Sequence, residues 1–210
     1  MTLKTRTTRR FSSGALLLGL SLVLPAAMAR LSPPFVPQAP DYRHDGDPAA
    51  PVVIYEFSDF ECPACRASVE PLKQLKALFP GKIRLVFKHL PWDFHKHARA
   101  AAMAAECAGK QGRFWDFHDK LYSSQEEWTG AEKAEPVFML FAAQLRLEDG
   151  AFGNCLASGE TAPAVDADLK AAKDHWVRST PTFIINGRRF VGAKQLRSHG
   201  YNLVERTVKK

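Results

Sequence analysis

The segment that most constrains this chain is residues 52–90. "VVIYEF" (52–57) is β-branched and aromatic, the content of a buried strand. A helical stretch follows from Pro63 to Phe79, with Val69, Leu72, Leu75 and Leu78 recurring every three residues and Pro71 placed to kink it. Pro80-Gly81 stops the helix, and "KIRLVFKHL" (82–90) reads as a second strand. A strand, a helix and a strand within residues 52–90 is a βαβ unit, and its strands must pair in parallel.

Downstream, residues 92–178 read as helical almost throughout. "HARAAAMAAECAGK" is alanine-rich and ends at Gly109, "RFWDFHDKLYSS" places Phe114, Phe117 and Leu121 on one side, and "AEPVFMLFAAQLRL" carries Pro136 near its start. Two short helices are expected at about 148–157 and 161–176. The sheet then resumes in "TPTFIINGRRFVG" (180–192), where Asn186-Gly187 between apolar runs is a hairpin signal, and an amphipathic helix closes the chain at about 194–207. One mixed sheet built from a βαβ start and a ββα finish is expected, with the helical block inserted between the halves. A length of 210 residues and 46% hydrophobic content support one such domain with its own core.

The first 29 residues form a separate object. Lys4, Arg6, Arg9 and Arg10 precede the apolar run "GALLLGLSLVLP", and Ala27 and Ala29 occupy the small-residue positions of a cleavage site. This is the plan of a signal peptide, too short in its apolar run for a comfortable membrane span, with cleavage expected after Ala29 and an uncleaved anchor as the alternative. Arg9-Arg10 leaves Sec and twin-arginine export both open. Residues 30–50 are proline-rich and read as an extended lead-in. The formal net charge of +7 includes four leader charges and is +3 without them. No basic stripe is left to suggest nucleic acid. Export implies a periplasmic or otherwise extracytoplasmic location, where disulfides persist.

Between the strand and the helix lies "SDFECPACRA" (58–67). Zinc needs four ligands; Cys107 and Cys155 lie in separate helical segments without a partner three residues away, and His95 and His97, two apart at a helix start, share no face. No metal and no cofactor are expected. A crosslink of Cys62 to Cys65 closes too small a loop to serve stability. The reading that fits is a redox dithiol. Cys62 stands where free backbone N–H groups and the helix dipole favour an anion, Pro63 suits the first helical position, and Cys65 is one turn on. Glu56, within an otherwise apolar strand, is a candidate buried acid able to take a proton from Cys65, the alternative being an exposed strand end. Thr180-Pro181 opens a strand, which makes sense if the bond is cis and the Thr180 backbone is free to pair with an extended peptide; a plain edge proline is the alternative.

"EFSDFECPACR" together with "STPTFIINGRRFVG", "AAECA" and "GRFWDFHDKLYS" resembles the DsbA-like thioredoxin-fold proteins of bacterial envelopes, over about residues 51–207. The resemblance implies an α/β thioredoxin-like fold with a large helical insertion, about 92–178, between its βαβ and ββα halves. It implies Cys62 as nucleophile, Cys65 as resolving thiol, Glu56 as buried acid and Pro181 as cis-proline, with Thr180 beside the sulfurs. The dipeptide inside the motif is Pro63-Ala64, where the best-known oxidising members carry a histidine second, and its lack is expected to weaken oxidising strength. Cys107 shares a helix face with Met103, and Cys155 with Phe152 and Leu156, so both face the insertion's core. A structural disulfide between them is expected; two inert buried thiols or a second redox relay are the alternatives. The expected function is introduction of disulfides into exported proteins by a monomer, with a membrane redox partner for reoxidation. A reductase or isomerase, and a non-enzymatic peptide-binding chaperone, are the alternatives. The twenty or so residues before the first strand are too few for an isomerase's dimerisation domain.

Overall fold

The computed structural model describes residues 1–2 and 38–209. Apart from its first two residues the expected leader, 1–29, lies outside them, as do residues 30–37 of the lead-in. Five strands form one sheet: β1 (His44–Asp45), β2 (Val52–Ser58), β3 (Ile83–His89), β4 (Thr182–Ile185) and β5 (Arg188–Val191), in the order β1-β3-β2-β4-β5. β2 and β3 are parallel, joined over α1 (Pro63–Leu78), and β1, β4 and β5 each join antiparallel. The hairpin between β4 and β5 turns at Asn186 and Gly187, whose φ angles of 45° and 81° are those such a two-residue turn demands.

The insertion holds α2 (Ala98–Lys110), α3 (Phe114–Ser123), α4 (Gln125–Thr129), α5 (Glu135–Gln144), α6 (Asp149–Ser158) and α7 (Ala162–Asp174). Its core gathers Phe114, Phe117, Leu121, Trp128, Phe138, Phe141 and Phe152 on Phe60 and Phe87. α1 packs Leu72 and Leu75 on Val52, Ile54, Leu85 and Ile185, with Leu196 and Val204 closing that layer.

Three details differ from the sequence reading. The lead-in is not merely extended: it contains β1, and Gly46 after it has a φ of 117° with the Ile83 carbonyl oxygen 2.2 Å from where a Cβ would stand, so only glycine fits. The chain between β3 and α2 is a loop, so His95 lies in a turn and only His97 touches the helix, as its N-cap. The closing helix is not continuous: α8 (Gly192–Gln195), a π turn (Leu196–Gly200) and α9 (Tyr201–Val208) follow one another. Eight residues separate Leu196 from Val204, whereas two α-helical turns take about 7.2. The extra residue of the π turn lets both side chains, each fully buried, face the sheet.

An ionic cluster is also buried. The Arg43 guanidinium reaches Glu106 (2.8 Å) and Asp168, Lys88 pairs with Asp168, and His89 Nε2 meets Glu106 at 2.9 Å. Two cations face two carboxylates, so the cluster balances. It ties the turn before β1 to β3, α2 and α7; removing one partner would strand a buried charge.

Candidate active site

Cys62 is the N-cap of α1 and Pro63 its first residue. The Cys62 side chain is half-buried and Cys65 is fully buried; both are free thiols. The hydrogen bond from Cys65 does most to bring the Cys62 thiol down from 9.0 to about 5, and the backbone N–H groups of Cys65 and Ala64 and the Thr180 side chain help, against the cost of partial burial. This value is reached with alanine, not histidine, at position 64. Burial pushes Cys65 the other way, well above the ordinary thiol range, and its bond to Cys62 and that sulfur's charge add to the rise. The Asp59 N–H donates to the Cys65 sulfur at 3.4 Å. The two sulfurs are therefore sharply unlike: one ionised and reachable, one protonated and enclosed.

Glu56 is 2% exposed, in the middle of β2. Burial raises its carboxyl to about 7, and the Ser58 hydroxyl pulls it back. Ser58 also stabilises the Cys65 sulfur and bonds the Tyr122 hydroxyl at 2.9 Å. Glu56 borders a cavity of about 300 Å³ that also touches Trp115, His118, Lys73 and Lys76. Among the described residues no direct hydrogen bond joins Glu56 to Cys65. Because the folded carboxyl titrates above the unfolded one, Glu56 favours folding fully below 4.5, and that contribution is lost as pH rises through about 7. Glu56→Gln, neutral and equal in size, is therefore expected to be more stable than the parent at about pH 8 by about 1–3 kcal/mol, the gap closing toward pH 4.5. Thermal unfolding of the oxidised proteins across that range checks this; a gap that stays flat with pH would mean Glu56 is not a buried acid.

The Thr180–Pro181 bond is cis. The Cys62 sulfur lies 3.9 Å from the Thr180 carbonyl oxygen, and Pro181 is buried behind it. The structure thus brings Cys62, Cys65, Thr180 and Pro181 together, with Glu56 on the strand behind. Residues not singled out by sequence also shape the site. The Asp59 carboxylate, 1% exposed, accepts from the Glu61 N–H (2.8 Å), the Trp92 N–H (2.9 Å) and His95 Nδ1 (2.8 Å). Gln125 Nε2 donates to the Phe60 and Cys62 carbonyls. Asp59 carries a local signal, an aspartate capping its own turn two residues on; Trp92 and Gln125 carry none.

Cys107 and Cys155 form a disulfide joining α2 to α6, with a sequence separation of 48. Among the described residues no group of three or more His, Cys, Asp or Glu side chains could hold a metal ion. No helix among them is long and apolar enough to cross a membrane.

A thioredoxin family model matches residues 38–201. Among solved structures, BdbD of Bacillus subtilis has a TM-score of 0.70 at 24% identity, covering 80% of this chain and 93% of that one. Wolbachia pipientis alpha-DsbA1 has a TM-score of 0.68 at 23% identity, over 82% and 93%. A thioredoxin-like oxidoreductase from Silicibacter pomeroyi has a TM-score of 0.63 at 26% identity, over 80% and 92%. A curated relative, the Na(+)/H(+) antiporter NhaA 3 of Salinispora tropica, is 38% identical over 159 residues, 75% of this chain and 24% of the antiporter. The chain thus spans about a quarter of the length of the curated relatives it matches. On the family match the chain belongs to the thioredoxin family, and its fold is that of the solved structures it resembles.

Proposed function

We propose that the chain is an exported oxidase that introduces disulfides into exported proteins outside the cytoplasm, with Cys62 as the attacked sulfur and Cys65 as the resolving one. The observation that carries the reading is the opposite displacement of the two thiols. A reduced form stabilised by a Cys62 thiolate at about 5 makes the corresponding disulfide a strong oxidant.

In the cycle a substrate thiolate attacks the Cys62 sulfur of the Cys62–Cys65 disulfide. A mixed disulfide forms and Cys65 leaves as a thiolate, which its high proton affinity soon protonates, with Glu56 as the proton source. The substrate's second thiolate then attacks its own bridged sulfur, and Cys62 leaves as a stabilised thiolate. The substrate loses two electrons and two protons, and the pair gains the electrons. A membrane redox partner that accepts those electrons restores the disulfide. The Thr180 backbone beside Cys62 offers an edge on which an extended substrate segment can pair. The leader residues, basic then apolar then small, support export. Equilibrating the Cys62–Cys65 pair with glutathione tests the direction: an oxidase pair stays reduced in buffers that would oxidise a reductase's.

A further inference from the structure

The Thr180 hydroxyl has two roles available and one proton to use. It offers two lone pairs and a single O–H, whereas an indole N–H only donates. Trp92 Nε1 lies 2.9 Å from Thr180 Oγ1, so that bond occupies a lone pair and leaves the proton. Cys62 is also a neighbour of Thr180: its sulfur lies 3.9 Å from the Thr180 carbonyl oxygen, and a hydrogen bond from the Thr180 side chain is among the causes that lower its thiol. A hydroxyl that already accepts one hydrogen bond is also a stronger donor in the next. The Trp92 end of this chain is itself fixed. Its backbone N–H is held by Asp59, and the same carboxylate caps the turn that leads into Cys62. One buried side chain thus sets the spacing between the loop that carries Cys62 and the loop that carries Trp92. His95, bonded to the same Asp59 oxygen, holds the second loop from its far side.

We propose that Trp92 is a positioning residue: its indole N–H, anchored through Asp59, directs the Thr180 hydroxyl proton at Cys62 and so makes the Cys62–Cys65 disulfide more oxidising. The inference rests on the oxidoreductase reading of the dithiol. It goes beyond that reading by assigning part of the redox poise to a residue in the loop after β3, acting through Thr180.

The test is a double-variant cycle read by the equilibrium constant of the pair with glutathione and by the thiolate absorbance of Cys62 against pH. Trp92→Phe keeps the ring and removes the donor. It is expected to shift the equilibrium toward the disulfide by roughly three- to tenfold, the size of weakening one hydrogen bond to a charged group, and to raise the Cys62 pKa. Thr180→Val should shift both in the same direction. In the Thr180→Val background Trp92→Phe should add less than about twofold, because its effect passes through the hydroxyl; in the Thr180→Ser background, which restores a hydroxyl, its full effect should return. Equal effects of Trp92→Phe in all three backgrounds, or an unchanged equilibrium with only a lowered melting temperature, would overturn the proposal. If Trp92→Phe does not fold, Asp59→Asn takes its place, with a smaller shift of the same sign expected and no shift counting against the idea. Failure of the parent pair to exchange with glutathione at all would instead remove the oxidoreductase reading, so the two failures are distinct.

Discussion

Cys62→Ser is expected to lose disulfide exchange by roughly 10³-fold or more, as for removal of a covalent nucleophile, while Cys65→Ser stalls rather than dies. The reason lies in access and charge. Cys62 is half-exposed at the helix N-terminus and its thiol is drawn down to about 5, so it is ionised across neutral pH. Cys65 has no exposed surface and its thiol is held well above the ordinary range. In Cys62→Ser the remaining sulfur is enclosed and protonated, and a substrate thiol has nothing to exchange with. In Cys65→Ser the serine hydroxyl can still donate toward Cys62, but the protein has no second sulfur to release an adduct that lacks a second thiol of its own. That variant should accumulate mixed disulfides with glutathione or a single-thiol substrate, seen by intact mass and as bands lost on reduction in non-reducing gels. Faster alkylation of Cys65 in Cys62→Ser than of Cys62 in Cys65→Ser would reverse the assignment.

The second large effect belongs to the other pair. The Cys107–Cys155 bond links α2 to α6 across a separation of 48 residues, and it lies in the core that gathers Phe117, Phe141 and Phe152. Closing a loop of that length removes unfolded-state entropy equivalent to roughly 4 kcal/mol, a large part of the 5–15 kcal/mol that holds a typical domain together. The double variant Cys107→Ala/Cys155→Ala should therefore melt roughly 8–16 °C below the parent for a chain of this size. Its free-thiol count after gentle reduction should match the parent's at two per chain, both from Cys62 and Cys65. A melting temperature within about 2 °C of the parent's would show that the link does not constrain the chain. Four thiols in the gently reduced parent would show it to be redox-active.

The features legible in the sequence are those coded at short range. Asn186-Gly187 carries its own turn, Pro63 its helix start, and "VVIYEF" its strand. The motif cysteines announce themselves by spacing, and Glu56 by being charged within an apolar run. The illegible parts are those set by distant partners. β1 is two residues long, too short for an alternation to show, and exists because β3 offers it an edge. Lys88 and Arg43 read as surface residues by type, and only the fold reveals Asp168 and Glu106 waiting for them. The contact between Trp92 and Thr180 spans 88 residues of sequence, with no local pattern at either end. The π turn before α9 is a packing correction, invisible until the sheet face it must meet is known.

The central claim is that this dithiol is poised to oxidise. It is tested most directly by the reduction potential of the Cys62–Cys65 pair, measured by equilibration with glutathione at neutral pH and quantified by alkylation and mass. The thiolate held at about 5 predicts a potential above about −200 mV, toward the strongly oxidising end of the family's range near −120 mV. A potential at or below about −250 mV, in the range of thioredoxin itself, would contradict the account and make the protein a reductase.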